Sequence, residues 1–307
     1  MTSALLALAD DLAADRFLSA DDALRMRKAI FPDGVVTRQE ADVLMALDGR
    51  VGARDPAWVE AFVEALVDHA LQCGAYPGHV DEETAGWLEA QFANDAPRLD
   101  ELQALVKIME RAESTPASFQ RFTRSRLAVF VAGRAMNESD VDLLRRCVYA
   151  GTTVTEEEME WMFAVDASTD GRAHCAAWRD LFVKVGLAHV AGRRAPVVLE
   201  RDAMVQREAR FANRPNVTPM SVIKSIFGGG LSGYKDRVSE PGWAEGVEER
   251  YEVANAETEA DARFTAAEAA KMLGLADRDG RHTANEQALL AALRQLEAEQ
   301  SAHEDWH

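Results

Sequence analysis

The chain has few of the devices that fix a fold from outside a hydrophobic core. Three cysteines in 307 residues, Cys73, Cys147 and Cys175, form no CxxC pair. Odd in number and widely spaced, they fit reduced, mostly buried thiols in a cytoplasmic protein. Nine prolines and few runs of Val, Ile or Thr disfavour sheet, and abundant Ala, Leu and Glu favour helix. No window approaches the roughly 18 apolar residues of a membrane span, and the first residues lack the basic run of a signal peptide. A soluble, cytoplasmic chain without membrane insertion is expected. Positive charge is scarce as well: 34 Lys and Arg against 52 Asp and Glu give a net charge of −18, which disfavours nucleic acid as a main partner.

Catalytic signatures are also missing. There is no Gly-x-Ser-x-Gly, no His-Glu-x-x-His and no Cys–His nucleophile context. The glycines at 228–230 lack a following Gly-Lys-Ser/Thr and have no strand before them, so they read as a hinge and not as a phosphate loop. Glu156, Glu157, Glu158 and Glu160 read as a solvated first turn favoured by the helix dipole. No enzyme and no catalytic residue is expected.

What is present is helical periodicity punctuated by caps. Leu5, Leu8 and Leu12 are spaced as one face of a helix. Ser19 with Asp22 marks a helix start. A helix running to Phe31 ends before Pro32, and residues 31–40 then form a turn and a new start. Thr37 and Glu40 make a Thr-x-x-Glu capping box. Ala41, Leu44, Met45 and Leu47 follow on one face, and Trp58, Phe62, Leu66 and His69 stripe a further helix.

The unit recurs. Residues 24–69 lie over 143–189, with Thr37 and Glu40 meeting Thr155 and Glu158 at an offset of 118, and Trp58, Phe62 and His69 meeting Trp178, Phe182 and His189 at 120. The turn alone recurs as Asp279, Gly280, Thr283 and Glu286, and a looser form ends at Asp81. The expected architecture is all-α, with repeated helix–turn–helix units packed as a helical bundle or array. Four regions are expected: 1–118 and 119–190 as helical repeat regions, 191–261 as a basic connection, and 262–307 as a C-terminal hairpin. Within the connection, Arg207 and Arg210 belong to a basic arm. Thr218-Pro219 then starts a short helix carrying Met220, Ile223 and Phe227 on one side.

The acidic turns invite comparison with a calcium loop, which needs about 6–8 oxygens. With Glu40 at its last position, Asp33, Gly34 and Thr37 fit but Ala29 and Phe31 do not. The C-terminal copy offers Asp277, Asp279 and Glu286, and the central copy has Gly151 where the aspartate would stand. Turn formation by Asp and Gly, and capping by Thr and Glu, explain the same residues without an ion. His69 and His189 read as packed histidines with one hydrogen bond, and Trp58 and Trp178 as core anchors.

These turns resemble the tellurite-resistance TerB-like helical domains, in a tandem arrangement. The residues that carry the resemblance are Asp33, Gly34, Val36 and Glu40, and again Asp279, Gly280, Thr283 and Glu286. It implies an acidic, non-catalytic helical module in a stress-response or membrane-proximal protein complex. It also implies divalent-cation binding by Asp33, Glu40, Asp279 and Glu286. The functional expectation is therefore an adaptor or scaffold that binds another protein, through a groove between units or through Arg207, Arg210, Met220, Ile223 and Phe227. The alternative is a divalent-cation sensor or buffer, with calcium the candidate ion at Asp33, Glu40, Asp277, Asp279 and Glu286; no other cofactor is expected.

Overall fold

The computed structural model describes residues 2–14, 16–31, 34–74, 76–151, 153–192, 272, 274–275 and 282–304. Among them are eleven helices and one two-residue parallel ladder: the expected all-α architecture. Asp33, Asp277 and Asp279 lie outside the described residues, as do Arg207, Arg210, Met220, Ile223 and Phe227. Among the described residues, no helix is long and apolar enough to cross a membrane.

Two compact units divide the chain. One holds Met1–Arg134 and Asp142–Ala150, the other Ala135–Val141 and Gly151–His307. The first contains α1 (Thr2–Leu12), β1 (Phe17–Leu18), α2 (Ala20–Ile30), α3 (Arg38–Arg50), β2 (Ala53–Arg54), α4 (Pro56–Gln72), α5 (Glu82–Phe92), α6 (Leu99–Arg111) and α7 (Ala117–Val131). Helix α7, assigned from the sequence to the region starting at 119, packs on α5 and α6 of this first unit.

The caps start the helices where the sequence places them. Ser19 and Asp22 close a reciprocal box on α2, and Thr37 and Glu40 do so on α3. Asp55 accepts the Ala57 amide at 2.8 Å ahead of Pro56, and Asp81 accepts the Thr84 amide at 2.8 Å. Each cap satisfies an amide that the first helical turn leaves without a partner. Helix α4 is the centre of the unit, packed on α2, α3 and α6. Its Trp58, Phe62 and Leu66 are at most 1% exposed, and each such side chain contributes about 1.5–3 kcal/mol by leaving water.

The second unit holds α9 (Glu156–Thr169), α10 (Ala176–Gly192) and α11 (Ala284–Glu304). Helix α8 (Glu138–Val148) starts in this unit and ends among residues counted with the first. Trp178, Phe182 and Val185 of α10 are fully buried, and α11 packs on α10 with Leu289 and Leu293 buried. A Cβ at Gly186 would lie 2.6 Å from Leu289 Cδ1. The glycine is what allows the two helices to approach here.

Packing revises the internal alignment. The sequence matches the turn at 279–286 to the one at 33–40. In the structure, however, α11 stands to α10 as α6 stands to α4, so the counterpart of Thr283, Asn285 and Glu286 is Arg98, Asp100 and Glu101. Side-chain size in this register is exchanged, since Leu66 and Ala104 align with Gly186 and Leu289. The repeat also begins earlier than residue 24. The Asp55 amide bonds the Leu18 carbonyl at 2.8 Å, and its counterpart Cys175 bonds the Met136 carbonyl at 3.0 Å. The Ser19 and Asp22 cap recurs as Asn137 and Asp140.

Candidate functional site

The repeated turn is tied to the long helix behind it. In the first unit the His69 Nδ1 proton goes to the Val36 carbonyl at 2.9 Å, the Cys73 thiol reaches the same oxygen at 3.0 Å, and the Val36 amide donates to Asp68 Oδ2 at 2.9 Å. In the second, His189 Nδ1 meets the Val154 carbonyl at 2.9 Å. Both histidines are buried, so they hold the turn, as their positions on apolar stripes lead one to expect. Burial pulls the His69 pKa below its usual value, and nearby Arg38 adds to that against the opposing bond to Val36. Asp68 is shifted upward, again chiefly by burial.

Of the candidate metal ligands, Glu40 and Glu286 are described, and both serve as caps. Glu40 Oε2 accepts the Thr37 amide at 2.8 Å and its hydroxyl at 2.7 Å; Glu286 Oε2 accepts the Thr283 amide at 2.7 Å. Among the described residues, no group of three or more His, Cys, Asp or Glu is arranged to hold a metal ion.

The residues that distinguish the units are the buried aspartates at the ends of α3 and α9, which the sequence aligns but does not mark as a site. Asp48 is 1% exposed. Its Oδ1 accepts Trp58 Nε1 at 3.0 Å and Arg54 Nε at 2.6 Å; its Oδ2 accepts Arg54 Nη2 at 3.1 Å and Arg98 Nη2. That fills the roughly four lone-pair positions of a carboxylate. Arg98 Nε also reaches Asp100 Oδ1 at 3.1 Å. Burial works to lower the Arg98 pKa, but Asp48, Asp100 and Glu101 outweigh it and the net shift is upward. The β1–β2 ladder, which pairs Leu18 with Arg54, sets the arginine against Asp48.

Asp166 is 3% exposed and keeps the tryptophan, with Trp178 Nε1 donating to Oδ1 at 3.0 Å. Its other partners are neutral: Asn285 Nδ2 donates to Oδ1 at 2.6 Å and the Thr283 hydroxyl to Oδ2. Among the described residues, none with a positive charge pairs with it. Arg54 is replaced by His174, Arg98 by Thr283 and Asp100 by Asn285.

His174 does not turn toward Asp166. Its Nδ1 accepts the Met136 amide at 3.1 Å and its Nε2 donates to the Thr169 carbonyl at 3.0 Å. A cavity of about 470 Å³ lies over Asp166, bounded by Thr283, Asn285, His174 and Cys175. Arg172, Arg179, Asp170 and Asp180 also line it, all exposed. The volume suits a small ligand or an inserted side chain. His174 has both ring nitrogens committed, so it is not placed as a base for Cys175.

Comparison of the chain with protein-family models, with curated proteins and with solved structures returns no match.

Proposed function

We propose that the chain is a non-catalytic, TerB-like helical adaptor that binds another protein, and that the second unit takes hold of it at the cavity over Asp166. The observation that carries this reading is the difference between two aligned sites. In one, a buried aspartate is closed over by the chain's own arginines; in the other the same aspartate faces a cavity. A duplicated structural element with one copy sealed and one copy open is what a binding module built on a structural twin would have.

Further support comes from the polar groups of the open site. They are held by neighbours in fixed orientations, and fixed orientation serves recognition. The divalent-cation reading draws on Asp33, Asp277 and Asp279, outside the described residues, and on Glu40 and Glu286, whose carboxylates serve as caps. The adaptor reading is therefore preferred. A cytoplasmic location, and the stress-response or membrane-proximal complex that the TerB-like resemblance implies, belong to the same proposal.

The test is affinity capture from lysate with the full chain and with Ala176→Trp, which fills the cavity from the start of α10. Partners recovered by the parent and lost from the variant are the expected result. An identical set of partners for both would overturn the proposal.

A further inference from the structure

We infer that the cavity over Asp166 is a guanidinium-binding site, which on the adaptor reading receives an arginine side chain presented by a partner protein. Charge bookkeeping within each unit leads there. In the first unit Asp48, Asp100 and Glu101 face Arg54 and Arg98, three anions to two cations. In the second, the aligned positions hold Asp166, Asn285, Glu286, His174 and Thr283. Relative to the first site two cations and one anion are absent, so the second carries one more uncompensated negative charge; the exposed Arg172 and Arg179 that also line the cavity are matched in number by Asp170 and Asp180. Burying a carboxylate without a counter-charge is costly, and that cost favours uptake of a cation.

The starts of α10 and α11 point partial positive charge at this region. The same arrangement exists at α4 and α6 beside Asp48, where two guanidinium groups are nevertheless held. Helix dipoles therefore do not substitute for the cation at this kind of site.

Geometry narrows the cation to a planar one with two donors. Arg98 bridges two acceptors, Asp48 Oδ2 through Nη2 and Asp100 Oδ1 through Nε. Their counterparts are Asp166 Oδ2 and Asn285 Oδ1. Asp166 Oδ2 accepts only the Thr283 hydroxyl among the described residues. Asn285 has its amide nitrogen fixed on Asp166 Oδ1, which leaves its oxygen as the acceptor. Arg98 supplies the guanidinium from the position that Thr283 now occupies, and a short threonine leaves that volume to a ligand. A guanidinium presents a fixed fork to two such oxygens, whereas an ammonium is a point charge with no set plane. A cavity of about 470 Å³ also has room for the arginine stem and part of the segment that carries it.

The test uses the full chain and the capped peptide acetyl-Gly-Arg-Gly-amide, with the lysine analogue as control. Binding is followed by calorimetry and by alkylation of Cys175, which lines the cavity and is half-buried, in a Cys73→Ser background that removes the exposed thiol. The arginine peptide is expected to bind, to slow Cys175 alkylation, and to bind about tenfold more tightly than the lysine peptide. Asp166→Asn keeps the shape and weakens binding by about tenfold or more, the scale of one charge-assisted hydrogen bond.

Thr283→Arg restores the residue type of Arg98; it is expected to raise the thermal midpoint and abolish peptide binding. No binding to the parent, or equal binding to parent, Asp166→Asn and Thr283→Arg, overturns the inference. Free L-arginine binding more tightly than the capped peptide overturns the assignment to a partner's side chain. The failures are separable. If Ala176→Trp loses partners while the peptide does not bind, the guanidinium site falls and the adaptor stands. If the peptide binds at Asp166 but Ala176→Trp keeps every partner, the adaptor reading falls and the guanidinium site stands.

Discussion

Asp48 and Asp166 occupy the same place in two copies of one helical unit, each under a tryptophan indole at 3.0 Å. Around Asp48 the donors are mostly charged, and they come from the chain itself: Arg54 on a short ladder and Arg98 at the start of α6. Around Asp166 the donors are an indole, an amide and a hydroxyl. The first arrangement is an internal ion-pair network that ties α3, β2 and α6 together. The second holds the aspartate in place and leaves its charge to be met by something else. The two sites differ at three aligned side chains and in the segment between aspartate and tryptophan, which is 10 residues in one and 12 in the other; one is a structural joint and the other a recess.

The largest expected effect is at the sealed site. Asp48→Asn takes from the half-buried Arg54 and Arg98 their shared anion, leaving them Asp100 and Glu101, and should cost about 3 kcal/mol in urea unfolding, the lower end for a buried pair. Asp166→Asn strands no cation, so a cost of about 1–3 kcal/mol is expected. Equal costs would break the comparison, because they would mean that Asp166 also anchors a charge inside the unit.

Next in size is the exchanged packing between the paired helices. Gly186→Leu forces a side chain into Leu289 and should destabilise by about 1–3 kcal/mol. Combining it with Leu289→Ala, which reproduces the Leu66 and Ala104 arrangement, should recover most of that loss. A double-mutant cycle on thermal unfolding measures the coupling, and strict additivity would refute the alignment of α6 with α11.

The helix caps should behave alike in both units. Thr37→Ala and Thr155→Ala are each expected to cost about 1 kcal/mol, measured by chemical denaturation. A large difference between them would show that one turn does more than start a helix.

The smallest effect is a pH dependence at His69. Its folded pKa lies below the unfolded value, chiefly through burial. The stability from keeping it neutral is therefore fully present above the unfolded value, near 6.5. It is lost as pH falls below that value toward the folded pKa. Unfolding free energies of the parent and His69→Gln, compared between about pH 5 and 8, should converge as the pH falls. Parallel curves would place the acid sensitivity elsewhere.

Much of the frame was legible in the sequence because its signals are local. The boxes at Thr37 and Thr155 act over three residues, and the stripes of Trp58, Phe62 and His69 and of their partners act over helical turns. Those features predicted the helix starts, the buried faces and the structural use of both histidines. The candidate site was not legible in this way. Asp48 and Asp166 share the offset of 118, but an aspartate near a helix end is an ordinary surface residue until its partners are known. Arg98 and Thr283 lie 50 and 117 residues from the aspartates they bond. The capping bonds of Thr283 and Glu286 repeat those of Thr37 and Glu40, and only the packing of α11 on α10 shows that this helix takes the place of α6 in the unit.

The sequence by itself determined an acidic, helical, twice-built chain, since composition, caps and periodicity act through neighbouring residues. Only the tertiary structure decided which copy is closed and which is open. That difference lies in whether charges far apart in the chain meet a buried carboxylate, and a burial cost depends on what surrounds the group, which sequence spacing does not reveal.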